Sequence, residues 1–188
     1  MNTRMHGSED ALAQIPCKRI AGRPAPRGLV GGLGMGFTLA SALQHIGKNG
    51  QVVVAELVPG VIEWNRGPLG EKAGMPILDP RAEIRCQDVA EVIKSEPLGF
   101  DAIMLDVDNG PEGLTHTGNN WLYSMAGLHA CHRALRPAGT LAVWSASADR
   151  KFADKVGKAG FKVEEVQVYA HGNKGTKHTL WIGSKLKA

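Results

Sequence analysis

Apolar positions along the chain come in short runs separated by stretches in which they recur at helical spacing. Runs at 27–31, 51–57, 83–87, 102–107 and 140–145 are short, rich in Val, Ile and Leu, and bounded by polar or glycine residues. Such runs predict strands buried on both faces. Between them, 37–46, 61–65, 89–95, 121–135 and 148–159 carry the spacing expected of helices. In the fourth, Leu122, Met125, Ala126, Leu128 and Leu135 form one apolar face, and Pro137 with Gly139 ends it. Gly160 stops the fifth. The alternation predicts an α/β fold with a mainly parallel sheet and helices on both faces. It breaks near the end, where 161–170 and 178–183 both read as strands joined by HGNKGTK. That linker is too short for a crossover helix, so the last two strands are expected to be antiparallel neighbours.

The chain has 188 residues, 43% of them hydrophobic and 21% charged, which excludes wholesale disorder and suits one domain. Residues 27–188 form the expected domain, with 1–26 as a loosely attached lead-in. Cys17, Cys86 and Cys131 are odd in number and far apart, giving neither a disulfide framework nor a CxxC pair and fitting a reducing compartment. The opening MNTRMHGSED has no apolar core of a signal peptide, and the apolar stretch 28–43 is short and glycine-rich for a bilayer span. The expectation is a cytoplasmic protein without a membrane partner.

The formal charge of +4 is uneven: +3 over 1–27, −5 over 28–149 and +6 over 150–188. The basic tail lacks interleaved aromatic pairs for stacking bases, so nucleic acid loses weight as a partner. An acidic middle that lined a site would attract a cation.

The first strand runs into Gly31-Gly32-Leu33-Gly34-Met35-Gly36 and a helix follows directly. Glycine permits positive φ and close approach to bare backbone, and the helix start offers unpaired N–H groups. Glycines at i, i+2 and i+5, which a dinucleotide fingerprint needs, fail in both registers, at Phe37 and at Leu39. The remaining GxGxG of Gly32, Gly34 and Gly36 is the form that cradles the amino-acid end of S-adenosylmethionine. Glu56 ends the second strand, where a carboxylate can accept from both ribose hydroxyls. Asp88 follows the third strand and can accept from an adenine amino group, cap the next helix, or do both. After the fourth strand, Asp106, Asp108 and Glu112 fall at the carboxyl edge of the sheet, where open α/β folds bind ligands. Carboxylates so close call for a cation, which an amine acceptor supplies. One of them can take the proton of the attacking ammonium while another holds the charged end of the substrate. The Asn109-Gly110-Pro111 run equally suits an Asx-turn.

Five β/α units followed by a hairpin is the order of the Rossmann-like class I S-adenosylmethionine-dependent methyltransferase fold, with seven strands. Within it, VGGLGMG at 30–36, VVAELVPGVIEWNR at 53–66, CQDVAEVI at 86–93, FDAIMLDVDNGP at 100–111 and LRPAGTLAVWSA at 135–146 resemble the spermidine synthase (polyamine aminopropyltransferase) branch. The resemblance implies Asp106 as catalytic aspartate, Asp108 as a second, amine-binding aspartate, Glu56 at the ribose and Asp88 at the adenine. It also implies S-adenosylmethionine or its decarboxylated form as co-substrate, a small-molecule amine acceptor, polyamine biosynthesis as setting, and no metal. Two features differ from typical members. The N-terminal β-rich domain is missing or supplied by a partner, and the loop after Asp106 is shorter than Asp-x-x-Asp-Pro.

A small-molecule methyltransferase and a non-catalytic scaffold on the same fold are the competing readings, and a homodimer is an assembly compatible with either. His129, Cys131 and His132 lack the spacing of a metal site. His116, His171 and His178 sit in polar surroundings as candidate bases. Trp64 and Asn65 can border an adenosine pocket, Trp64 being equally suited to helix packing, and Ser145 can face the acceptor.

Overall fold

The computed structural model describes residues 6–106, 121–171 and 174–187. Seven strands form one sheet: β1 (Arg27–Gly31), β2 (Gln51–Glu56), β3 (Ala82–Cys86), β4 (Phe100–Leu105), β5 (Leu135–Ser145), β6 (Phe161–His171) and β7 (Lys174–Lys185). Their order is β3-β2-β1-β4-β5-β7-β6. The pairs from β3 through β5 are parallel, whereas β7 is antiparallel to both β5 and β6. The terminal hairpin and the seven-stranded, mostly parallel α/β sheet match the expectation.

The period-2 geometry of the strands sorts their side chains into two cores. Leu29, Val53, Ile103 and Leu105 face α5 (Val89–Ser95), α6 (Met125–Ala134) and α7 (Arg150–Lys158), with Trp181 in the same cluster. Their neighbours Val30, Val52, Val54 and Met104 belong to the opposite cluster, with residues of α1 (Gly7–Ile20), α2 (Phe37–His45) and α3 (Pro59–Asn65). A short helix α4 (Pro68–Glu71) and a 3-10 turn (Pro76–Leu78) complete the link to β3. Among the described residues no helix is long and apolar enough to cross a membrane.

The largest departure from expectation lies at the start. The segment read as a loose lead-in forms α1, whose Leu12, Ala13, Cys17 and Ile20 are fully buried. Their spacing, with Pro16, is one helical stripe, but a proline in mid-helix gives up a backbone donor and disguises it. The amino end of α1 docks so closely on β6 that a Cβ at Gly7 would lie 3.0 Å from the Tyr169 carbonyl oxygen. Beyond its other end, Arg23 pairs with Asp101 of β4, a carboxylate only 1% exposed that also accepts from the Arg27 N–H (2.8 Å) and Arg136 Nη1 (2.9 Å).

The fourth predicted helix is shorter than read. Ser124 caps α6 by accepting from the Gly127 N–H, and the chain enters β5 directly at Leu135. Asp149 caps α7 through the Lys151 N–H in the same way.

Candidate functional site

Strand register assembles the site at the carboxyl ends of β2, β1 and β4. Gly31 is paired with Ala55 on one side and Leu105 on the other, so Glu56, Gly32 and Asp106 follow on three adjacent strands. The Asp106 N–H donates to the Gly31 carbonyl at 3.1 Å and the Gly32 N–H to the Ala55 carbonyl at 2.9 Å. Among the described residues, α2, which follows β1, and α6, the next described helix after β4, lie on opposite faces of the sheet, the arrangement of a topological switch point, where α/β folds have a crevice for ligands.

Gly32, Gly34 and Gly36 have φ of +86°, +51° and +85°, conformations that a side chain would strain. Asn65, fully buried on α3, stiffens the loop by donating Nδ2 to the Gly34 carbonyl at 2.9 Å and to the Val61 carbonyl at 2.9 Å. Its Oδ1 finds no partner and lies 3.0 Å from where a Cβ on Gly36 would stand.

Glu56 is 8% exposed. One carboxylate oxygen accepts the Leu33 N–H at 2.8 Å and the other the Val58 N–H at 2.9 Å. Its orientation is thereby fixed, and each oxygen keeps a second acceptor position for a hydroxyl. Asp88 is exposed at the start of α5 and caps it through Oδ1 and the Ala90 N–H at 2.8 Å, leaving Oδ2 open.

Asp106 is partly buried at the end of β4, with Oδ2 accepting from Thr38 Oγ1 at 3.1 Å. Burial pushes its carboxyl up to about 7; the Glu9 charge adds to this and the Thr38 hydrogen bond opposes it. Asp106 and Glu9 line one cavity of about 20 Å³ with Leu33, Met35, Phe37 and Thr38. Phe37, on which His6 stacks at 4.2 Å, also lines a polar groove of about 350 Å³ between α1 and α2.

Glu9 and Thr38 are functional candidates that the sequence reading missed. The signal was present in the i, i+4 recurrence that buries α1, since that register puts Glu9 in the first turn, beside the site. Asp108, Glu112 and His116 lie outside the described residues. Trp64 is 63% exposed, so it is no helix-packing residue. Ser145 is buried and spends its hydroxyl on the Ser147 carbonyl at 2.7 Å. Cys131 lies in the core, His132 packs edge-on against Phe161, and no group of three metal-ligating side chains occurs among the described residues. His178 is held below its ordinary value by burial, against the Glu9 charge, and its ring packs on Trp144 at 4.7 Å.

The donor set suits a nucleoside carrying a positive centre: bare N–H groups in the loop, a fixed carboxylate beside them, and a second carboxyl across the crevice. No protein-family model matches the chain, and comparison with characterised proteins yields no match. Solved structures do match. A spermidine synthase in complex with the transition-state analogue AdoDATO superposes with a TM-score of 0.73 at 21% identity, over 96% of this chain and 59% of that one. The spermidine synthase from Thermotoga maritima gives 0.74 at 21%, over 96% and 60%. The S-adenosylmethionine-dependent methyltransferase SibL, in its apo form, gives 0.63 at 18%, over 96% and 55%. The chain thus spans about 60% of the length of the spermidine synthase chains it matches. Its fold is the class I methyltransferase-like, spermidine synthase-like fold.

Proposed function

We propose that this chain is a transferase that binds S-adenosylmethionine or its decarboxylated form as co-substrate and, from the decarboxylated form, moves an aminopropyl group to an amine. The observation that carries the reading is the placement of Asp106 beside a glycine loop and a fixed carboxylate, at the ends of three neighbouring strands, where burial pushes its carboxyl up to about 7. Glu56 holds the ribose hydroxyls through its free acceptor positions, and Asp88 offers Oδ2 to the adenine amino group. The loop N–H groups suit the carboxylate of S-adenosylmethionine; the decarboxylated form lacks it and ends in an ammonium, which carboxylates rather than N–H groups hold.

Asp106, ionised above neutral pH, takes one proton from the acceptor's ammonium, which becomes a neutral amine. The amine lone pair forms a new N–C bond to the carbon beside the sulfonium, and the C–S bond breaks with its electron pair staying on sulfur. Aminopropyl transfer leaves methylthioadenosine. Positioning supplies most of the rate, because the sulfonium is already an activated leaving group. The two aspartyl and glutamyl positions further along the loop, Asp108 and Glu112, join this reading as amine-binding groups by resemblance alone.

A small-molecule methyltransferase is the second reading, favoured by the likeness to SibL and to TrmN from Thermus thermophilus, the latter at a TM-score of 0.63 and 18% identity. Product analysis separates the two. Methylthioadenosine from the decarboxylated co-substrate and an amine supports the proposal; S-adenosylhomocysteine from S-adenosylmethionine supports the second reading. Calorimetry in which neither co-substrate form binds overturns both in favour of a scaffold.

A further inference from the structure

Along the sequence the basic residues of the second half look scattered, but the fold gathers them. α6 and α7 pack side by side on one face of the sheet and sink Leu128, Cys131, Phe152 and Val156 into its core. Arg133, Arg150, Lys151, Lys155 and Lys158 stay exposed on the two helices. Asp154 is the one acid on either helix, so the pair carries a net +4, which equals the formal charge of the whole chain. Glu165 of β6 borders the same surface, in a shallow depression beside Asp154 and Lys158. On the opposite face of the sheet, α1 balances Glu9 and Asp10 against Lys18 and Arg19.

The cations of α6 and α7 are also unspent. Seven of the nine described arginines pair with a carboxylate, and the two that do not are Arg133 and Arg150. Lys151, Lys155 and Lys158 likewise form no ion pair among the described residues. In the last turn of α6, burial and then the charges of Lys185 and His129 hold His132 below its ordinary value. Helix stability does not explain the row. Lys155 and Lys158 suit the carboxyl end of α7, but Arg150 and Lys151 open its first turn, where positive charge opposes the helix dipole. Gly157 is exposed, and a Cβ there would meet only Val163 Cγ2, at 3.8 Å, so packing does not demand a residue that weakens helices. Its bare backbone leaves room for a ligand oxygen beside Lys158.

We infer that the outer face of α6 and α7 is a docking surface for the phosphodiester backbone of a nucleic acid. A rigid row of one sign, spanning roughly 12 Å from Arg150 to Lys158, answers a polymer whose charge is of one sign and evenly spaced. Neither helix exposes a Phe, Tyr or Trp, so the contacts hold the backbone without stacking on bases. A bilayer is the poorer partner, because Phe152 and Val156 of α7 are spent on the core and leave nothing to insert. The surface serves whichever group the crevice transfers, since it shares no residue with that site.

The test uses the full chain and labelled oligonucleotides of mixed sequence, about 20 residues long, as duplex RNA, duplex DNA and single-stranded RNA. Fluorescence anisotropy follows binding between about 50 and 200 mM salt. The expected slope of log K against log salt is about −3 to −4, as for about four neutralised phosphates. The oligonucleotide bound most tightly names the source, and equal affinity for all three assigns the surface to the backbone alone. Lys151→Gln/Lys155→Gln/Lys158→Gln should weaken binding about tenfold or more, reduce the slope by about 2–3, and leave the melting temperature unchanged. Lys151→Arg/Lys155→Arg/Lys158→Arg should bind like the wild type. Lys18→Gln/Lys48→Gln/Lys72→Gln removes the same charge from exposed positions on or beside α1, α2 and α4 and should change little. An equal loss in the two Gln triples reduces the effect to net charge and overturns the inference, as does binding that is absent at low salt or insensitive to salt. Vesicles of phosphatidylcholine and phosphatidylserine form the last arm. Lysine-dependent binding to them, with none to any oligonucleotide, overturns the nucleic-acid assignment in favour of a lipid surface.

Discussion

Thr38 Oγ1 donates to Asp106 Oδ2 across 3.1 Å, joining the first turn of α2 to the end of β4. The hydroxyl stabilises the ionised carboxylate against the burial and the Glu9 charge that favour its protonated form. Thr38→Val keeps the shape and removes the donor. The expected result is an acidic limb of kcat/KM displaced upward from about 7 by about half a pH unit to one, given a net hydrogen bond of about 1 kcal/mol. A pH–rate profile measured on both proteins checks it.

Asp106→Asn should lower kcat by about 10²–10⁴, the range for loss of a general base, while leaving co-substrate affinity within about threefold. The same variant reports on stability. A carboxyl raised to about 7 binds more protons in the folded than in the unfolded state between roughly pH 4 and 7. Stability therefore falls as pH rises through that window and is lowest above it. Urea denaturation at pH 5 and pH 8 should show this decline in the wild type and a smaller one in Asp106→Asn.

Glu56→Ala removes the acceptor of two backbone donors, the Leu33 and Val58 N–H groups, as well as the ribose contact. Methylthioadenosine affinity should drop about tenfold or more, and the melting temperature should fall by a few degrees, corresponding to about 1–3 kcal/mol for buried donors left unpaired. Calorimetry and a thermal melt measure the two effects separately.

Asp101→Ala should destabilise the chain by about 1–3 kcal/mol, because it leaves the Arg27 N–H without its acceptor. It also removes the carboxylate that Arg23 and Arg136 share, while both arginines keep solvent and a carbonyl partner. Equilibrium urea unfolding checks the value. Asp101 lies at the amino end of β4, opposite the site, so the folded fraction should retain its co-substrate affinity.

Strands β1 to β4 were readable to within a residue or two, since runs such as LVG and VVVA admit few alternatives when both faces are covered. The positions of Gly32, Gly34, Gly36, Glu56 and Asp106 at the sheet edge were legible for a related reason: strand ends in a parallel sheet fall at one edge. The start of α6 was not, because the chain turns tightly before it: a Cβ on Gly127 would come within 2.1 Å of the Trp121 carbonyl oxygen, and Ser124 caps the helix there. Leu135 was read as the end of a helical face, whereas pairing with Phe100 draws it into β5. Glu9 could not be assigned to the site without knowing that α1 docks on strands more than a hundred residues later in the chain. Long-range packing leaves no local trace beyond its apolar stripe.

The docking of Gly7 and Ser8 on Tyr169, Ala170 and His178 has a consequence for synthesis. The ribosome makes α1 before any strand of the sheet, yet its seat does not exist until the β6–β7 hairpin has left the exit tunnel. Contacts of such sequence separation form late and slowly. A nascent chain can lay down the strands that carry the glycine loop and Glu56 early, but the start of α1 gains its partners on β6 and β7 only once both strands have emerged.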